Sequence, residues 1–234
     1  MNKAVKHQLF ILPFSGGSVK YYNRWLTHFS PDIQVELIEM AGRGVRKSDG
    51  KYNNFDEATL DLFKIIKNKI NTSNFYIFGH SLGALLAYEI SLKFQTEQLD
   101  LPKAVFLSGR TSPFYRFHEN VGQLSSNEII KELQSLGVED IDIYKHPRAG
   151  KYYLSLLCSD YNLTKTYCKQ EPILSKVNGH IFYGITDPFA VDINSWQDYF
   201  ENKLDIHCFL GSHFYINNNF KEIIEIINRN IVLS

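Results

Sequence analysis

The sequence predicts an α/β domain in which a largely parallel sheet is covered by helices on both faces. Three observations predict this fold class: short apolar runs recur along the chain, helical patterns alternate with them, and most of the runs are apolar almost throughout. A continuous apolar run is typical of a strand that is buried on both faces, which is the usual condition of a parallel sheet.

Six apolar runs are the predicted strands: Leu9–Leu12, Val35–Met40, Phe75–Phe78, Ala104–Ser108, His180–Tyr183 and Ile206–Leu210. Apolar residues at helical spacing predict three helices around the sheet, at Phe55–Ile70, Gly83–Gln95 and Phe220–Ile231. The regular alternation of the two kinds of segment favours one continuous sheet over two separate domains.

One segment, at roughly residues 111–176, breaks the alternation. Ser125 and Glu128 match a capping box at the start of one helix, and the spacing of Tyr152, Leu156 and Tyr161 predicts a second. Active sites lie beyond the carboxyl ends of parallel strands, and insertions at that edge cover them. We therefore predict a single domain, residues 1–234, with a helical lid insertion; additional scaffold is the alternative interpretation.

Composition limits the possible classes of protein. The chain has 234 residues, 44% of them hydrophobic, with 25 basic and 25 acidic side chains. Zero net charge argues against a nucleic-acid partner bound through a global basic field. Three cysteines without a CxxC pair (Cys158, Cys168 and Cys208) indicate a reducing compartment. With neither a signal peptide nor a run of 18 apolar residues, we expect a cytoplasmic monomer without a membrane span.

Residues 79–83, Gly-His-Ser-Leu-Gly, match the pattern G-x-S-x-G between a predicted strand and a predicted helix. This setting holds a serine in a strained turn, and Gly79 and Gly83 let the strand and helix approach closely. Ser81 is therefore the predicted nucleophile. The backbone amide of Leu82, at the start of the helix, is expected to stabilise an oxyanion.

A serine nucleophile needs a base and an acid, which follow it along the chain in the order acid, then histidine. His213 lies between the last predicted strand and the last predicted helix, where the base belongs. Asp187 follows a strand end and is the predicted acid; Asp160, in the insertion, is its rival and is expected to cap or pair there, and Asp192 lies further on. The remaining histidines fit the base position less well: His7, His28, His80, His118, His146, His180 and His207.

The loop after the first strand, Pro13–Ser18, is the expected source of the second oxyanion donor. Its two adjacent glycines permit close backbone approach, so the amide of Phe14 or of Ser15 is the predicted donor. The loop matches neither the phosphate-binding pattern GxxxxGK[ST] nor a dinucleotide fingerprint. We predict no metal and no cofactor.

Taken together, these motifs resemble the type II thioesterases of nonribosomal peptide and polyketide pathways, which belong to the α/β-hydrolase superfamily. Ala41 stands where that family usually has proline, and Ile185 and Thr186 replace its usual acidic or polar residues before Asp187. The segments that carry the resemblance extend over nearly the whole chain: Leu12–Ser18, Arg24–Trp25, Ala41–Arg43, Gly79–Ala84, Ser159–Tyr161, Gly184–Asp187 and Gly211–Phe214.

The resemblance implies an α/β-hydrolase fold and an editing activity. Such enzymes hydrolyse acyl groups from the phosphopantetheine arm of acyl or peptidyl carrier domains. Ser81 would form the acyl-enzyme, with His213 as base and then acid and Asp187 orienting the imidazole. The triad is complete, so only the acyl preference is affected by the departures from the family pattern.

Carrier domains are usually acidic, which suggests a basic docking patch on this chain. The basic residues expected to form it are Lys20, Arg24, Arg43, Arg46 and Lys47. A solvated face without a partner is an equally open interpretation. Four alternatives for the function also remain at this point: a small-ester hydrolase, an acyl-CoA hydrolase, a serine acyltransferase, and a carrier-binding protein without catalysis.

Overall fold

The computed structural model describes residues 6–114, 125–139, 141–167 and 171–233. Cys168 and His118 lie outside the described residues, as does part of the predicted insertion. Within these ranges no helix combines the length and the apolar character that crossing a membrane requires. The assignment of residues 1–234 to a single domain stays a prediction.

Six parallel strands form one sheet in the order β2-β1-β3-β4-β5-β6. The strands are β1 His7–Leu12, β2 Ile33–Leu37, β3 Phe75–His80, β4 Ala104–Ser108, β5 Asn178–Gly184 and β6 Asp205–Phe209. Every predicted strand is present, but β2 ends at Leu37 instead of Met40. Ile38 and Met40 are buried directly after the strand, and the Ile38 amide still donates to Ile11 O of β1 at 3.0 Å, so their apolar character reflects this burial.

Helices cover both faces of the sheet. Outside the insertion, the described α-helices are α1 Phe55–Lys69, α2 Leu82–Thr96 and α6 Ile216–Val232, and short 3₁₀ helices lie at Gly44–Asp49 and Ile193–Tyr199. One apolar core joins the sheet to α1 and α2, and a second joins it to α6 and to a 3₁₀ helix, Val19–His28. The 3₁₀ helix was not predicted, and α6 begins four residues before its predicted start at Phe220.

The described part of the insertion between β4 and β5 is mainly helical, as predicted. Its helices are α3 Ser126–Ser135, α4 Asp142–Lys145 and α5 Ala149–Lys165. The capping box is confirmed, since Ser125 Oγ accepts from the Glu128 amide at 3.4 Å and the Glu128 carboxylate accepts from the Ser125 amide at 2.7 Å. A small apolar core of its own joins α3 to α5. The short α4 has no counterpart in the sequence prediction.

Candidate active site

The turn between β3 and α2 places Ser81 at the carboxyl end of the sheet. Ser81 has φ 56° and ψ −116°, a strained conformation for a residue with a side chain. Its amide donates to Ser108 O at 2.8 Å and its carbonyl accepts from the Ala84 amide at 3.0 Å. These two hydrogen bonds hold the turn, and the predicted strand–turn–helix setting of Ser81 is confirmed.

Two glycines make this turn possible because backbone lies where their side chains would be. A Cβ on Gly79 would lie 1.9 Å from Gly83 O, and a Cβ on Gly83 would lie 2.6 Å from Leu12 O. Both contacts are with backbone oxygens, which cannot rotate away as the end of a side chain can. The two glycines of the G-x-S-x-G pattern thus indicate close packing of α2 against β3 and β1.

Gly79→Ala is therefore expected to destabilise the protein by about 3 kcal/mol or more, the upper part of the range for overpacked sites. Urea unfolding followed by circular dichroism measures the change. Gly137→Ala, just after the carboxyl end of α3, is the matched control, because the nearest atom to its added Cβ would be Phe214 Cβ at 3.9 Å and only its positive φ opposes alanine. Its expected cost is about 1 kcal/mol. Equal losses in the two variants would contradict the packing argument.

His213 and Asp187 form a buried pair. The imidazole Nδ1 lies 3.0 Å from Asp187 Oδ2 and 3.1 Å from Oδ1. Asp187 follows β5, and His213 lies between β6 and α6, as the sequence predicted. Because an ionised carboxylate can only accept, the proton belongs on Nδ1, and Nε2 keeps the lone pair that a general base needs.

The pair is held rigidly on both sides. Asp187 Oδ1 also accepts from the Phe189 amide at 2.9 Å, and its side chain is fully buried. The rings of Phe189 and Phe214 flank the imidazole of His213 with centroid distances of 4.8 and 5.3 Å. Among the described residues, no hydrogen bond reaches the Ser81 hydroxyl, so its transfer of a proton to His213 belongs to the proposal below.

His80 packs beneath the base, a contact that sequence reasoning missed. Its ring centroid lies 4.9 Å from that of His213, and its Nδ1 lies 2.9 Å from Ser108 Oγ. Burial, together with the nearby His213, lowers the pKa of His80 well below its usual value. His80 is therefore neutral at pH 7 and adds no second positive charge beside the base.

Asp160, the rival acid, lies in a different network. Its carboxylate accepts from Arg43 Nη1 at 2.7 Å, from Arg43 Nη2 at 2.6 Å and from the Gly16 amide at 2.7 Å. Burial lowers the pKa of Arg43, but Asp160 more than offsets this effect and the pKa is raised. Asp160 pairs with a residue outside the insertion, and Asp187 is the carboxylate that contacts His213.

The expected docking patch is wrong in two of its members. The side chain of Arg43 is 3% exposed and is committed to Asp160. Arg46 binds Asp61 and Asp49, each at 2.8 Å. Neither arginine is free to meet an acidic partner. Lys20, Arg24 and Lys47 are exposed and are what remains of the predicted patch.

In the loop after β1, the amides of the two glycines are engaged, whereas those of Phe14 and Ser15 are available. The Gly16 amide donates to Asp160, and the Gly17 amide donates to Phe14 O at 2.9 Å. The amides of Phe14 and Ser15, the predicted oxyanion donors, have no acceptor among the described residues. Leu82, the other predicted donor, is the first residue of α2, where amides lack an intrahelical partner.

A cavity of about 550 Å³ lies between this loop, the insertion and the segment after His213. It is mainly apolar and aromatic, and its non-aromatic polar side chains are those of Ser15, Glu139 and Asn217. The side chains and glycines around it are Phe14, Ser15, Gly16, Gly17, Tyr21, Leu133, Val138, Glu139, Ile143, Tyr144, Tyr153, Phe214 and Asn217. Its volume is within the usual range for small-molecule pockets.

A model of the Thioesterase domain matches residues 7–231. The chain belongs to this family. The thioesterase shares 24% identity over 235 residues with Thioesterase PikA5 of Streptomyces venezuelae, covering all of this chain and 83% of that relative. It shares 26% identity over 228 residues with the medium-chain S-acyl fatty acid synthase thioesterase of Rattus norvegicus, covering 91% of this chain and 84% of the relative.

The solved structures agree on the fold of this thioesterase. That of ClbQ, described as from the colibactin NRPS/PKS pathway, superposes with a TM-score of 0.87 at 25% identity and covers 96% of both chains. The predictions of an α/β-hydrolase fold and of a thioester-hydrolysing enzyme are therefore confirmed. A carrier-binding protein without catalysis, one of the four alternatives, is not supported.

Proposed function

We propose that the thioesterase is an editing enzyme of nonribosomal peptide or polyketide synthesis. It would hydrolyse acyl groups from the phosphopantetheine arm of acyl or peptidyl carrier domains. The observation that carries the proposal is the buried His213–Asp187 pair at the same sheet edge as the strained turn of Ser81. The pathway named for ClbQ supports the choice of substrate. A cytoplasmic monomer without a nucleic-acid partner stays our prediction.

In the proposed first step, Ser81 Oγ attacks the thioester carbon while His213 Nε2 accepts the hydroxyl proton. The carbonyl oxygen becomes an oxyanion, which would accept from the Leu82 amide and from the amide of Phe14 or Ser15. Collapse of the intermediate breaks the carbon–sulfur bond. His213 returns the proton to the leaving pantetheine thiolate, and the acyl group stays on Ser81 as an ester.

In the second step, water attacks this ester while His213 accepts a proton from the water. The second oxyanion would use the same amides, and its collapse breaks the bond to Ser81, which regains its proton from His213. Asp187 keeps the imidazole oriented and stabilises its charged form throughout. The phosphopantetheine belongs to the carrier substrate, so the proposed reaction needs no cofactor in the thioesterase itself.

The test compares one acyl group on three leaving groups: a carrier domain, coenzyme A and p-nitrophenol. We expect kcat/KM for the acyl-carrier to exceed that for the acyl-CoA by roughly tenfold or more, because carrier contacts supply binding energy that coenzyme A lacks. Equal values would favour an acyl-CoA hydrolase. Fast turnover of the p-nitrophenyl ester with none of the carrier thioester would overturn the proposal in favour of a small-ester hydrolase.

The same assay tests the acyltransferase alternative. With amine or alcohol acceptors added at millimolar concentration, the acyl group of the carrier substrate should appear as free acid. Mass spectrometry of the products measures the partition between water and the acceptor. An acceptor conjugate as the main product would identify the protein as a serine acyltransferase.

A further inference from the structure

We propose that Arg43 and Asp160 are positioning residues, which hold the Pro13–Ser18 loop in its reactive shape, with Arg43 cancelling the charge of the Asp160 carboxylate that contacts the loop. The inference rests on the proposed function, in which this loop supplies an oxyanion donor. Neither residue contacts the reacting atoms in the proposed mechanism. Both would act through the backbone of Gly16 and Gly17.

The loop is held at two consecutive residues. Asp160 accepts from the Gly16 amide at 2.7 Å, and Arg43 Nη1 donates to Gly17 O at 2.9 Å. The paired side chains of Arg43 and Asp160 are 3% and 2% exposed, so water does not compete for these contacts. Gly16 has φ +72°, a conformation that glycine adopts without strain.

A second carboxylate holds the end of the loop. Glu39 Oε2 accepts from Ser18 Oγ at 2.6 Å, and Oε1 accepts from the Val19 amide at 3.3 Å. Positions 16 to 19 are therefore held by buried or half-buried charged side chains. Phe14 and Ser15 remain with unengaged amides, which is what donation to a substrate oxygen requires.

Charge explains why the carboxylate is paired. The Asp160 carboxylate contacts Gly16, which is next to the predicted oxyanion donors Phe14 and Ser15. If this carboxylate were buried and unpaired, it would oppose the negative charge that develops in the transition state. The two-pronged contact with Arg43 cancels that charge and leaves the carboxylate able to accept from Gly16. The pair thus provides an anchor without an electrostatic penalty for catalysis.

The anchor also joins the insertion to the catalytic core. Asp160 lies in α5, and two further contacts hold that helix: Tyr152 donates to Gly42 O at 3.0 Å, and Leu157 packs against Gly16. A shift of α5 relative to the core would therefore move the backbone of the loop that is expected to stabilise the oxyanion. Arg43 and Asp160 connect the two parts.

The experiment measures kcat and KM of Arg43→Gln, Asp160→Asn and the double variant on a simple acyl thioester. We expect R43Q to lower kcat about 100-fold, as loss of an oxyanion donor does, while KM changes less than about threefold. D160N should lose less, because its amide oxygen can still accept from Gly16. The double variant should recover at least roughly tenfold in kcat over R43Q, because it contains no unpaired charge.

A second readout separates positioning from mere structural support. A trifluoromethyl ketone with the same acyl chain forms an anionic adduct with a serine nucleophile, so its affinity should fall in parallel with kcat in R43Q. Thermal unfolding of every variant shows whether it is folded at the assay temperature. Lys67→Gln is the control: it removes an exposed ion pair with Glu97 and should leave kcat unchanged.

A folded R43Q with wild-type kcat, or a double variant no faster than R43Q, would overturn the inference. If R43Q does not fold, Arg43→Lys replaces it, because lysine keeps the charge and loses the two-pronged contact. Its kcat should fall about tenfold, and wild-type kcat would overturn the inference. A simple thioester has no carrier domain, so these outcomes do not depend on carrier recognition. Failure of the proposed serine mechanism would be seen separately, as activity that the Ser81→Ala variant retains.

Discussion

Ser81→Ala should lower kcat for thioester hydrolysis by at least about 10⁴-fold and leave the fold intact. Alanine cannot form the acyl-enzyme, and the remaining oxyanion donors and substrate contacts give only slow hydrolysis by water. The removed hydroxyl makes no hydrogen bond among the described residues, so little native stability depends on it. Stopped-flow or endpoint assay of free thiol measures kcat, and circular dichroism reports the fold.

Ser91→Ala is the matched control for this variant. Ser91 is buried in α2, the helix that begins directly after Ser81, and its hydroxyl donates to Tyr88 O at 2.7 Å. We expect full activity. A fluorophosphonate probe adds an independent measurement: intact mass should increase by one adduct in the wild type and in S91A, and not in S81A. Wild-type turnover by S81A would disprove the serine mechanism whatever the substrate.

The sequence predicted the positions of candidate catalytic residues best where each residue lies in the turn or loop that directly follows a strand. Ser81, Asp187 and His213 each follow a predicted strand, and the carboxyl ends of parallel strands meet at one edge of a sheet. Chain order therefore predicted the pairing of Asp187 with His213, which the 3.0 Å contact confirms. Their catalytic roles, and those of the oxyanion donors, stay predictions.

What the sequence could not predict depends on how distant segments pack. Arg43 and Asp160 are 117 positions apart, and their contact follows from the path of α5 across the loop after β1. An arginine in a polar, glycine-containing segment is typical of the surface, which is why Arg43 was assigned to a docking patch. The 3₁₀ helix Val19–His28 was missed, although its buried residues Tyr22 and Trp25 have the i, i+3 spacing of one helix face.

Asp187→Asn should lower kcat by about 10³- to 10⁴-fold, the size of effect seen when the acid of a serine-protease triad is amidated. Its Oδ1 accepts from the Phe189 amide at 2.9 Å, so an asparagine keeps its oxygen there and turns its NH₂ toward His213 Nδ1. Nδ1 must then accept, which puts the proton on Nε2 and removes the lone pair that takes the proton of Ser81. The substrate-binding surface is unchanged, so KM should stay within about threefold.

Asp192→Asn is the control for this substitution, because Asp192 is exposed, has φ 48°, and asparagine tolerates that conformation well. It should retain wild-type kcat. Proton NMR of the imidazole N–H in D187N measures the tautomer directly, with the Nδ1 proton of the wild type replaced by one on Nε2. A tenfold or smaller loss of kcat in a folded D187N would show that Asp187 only packs against His213, and would leave the choice of acid open again.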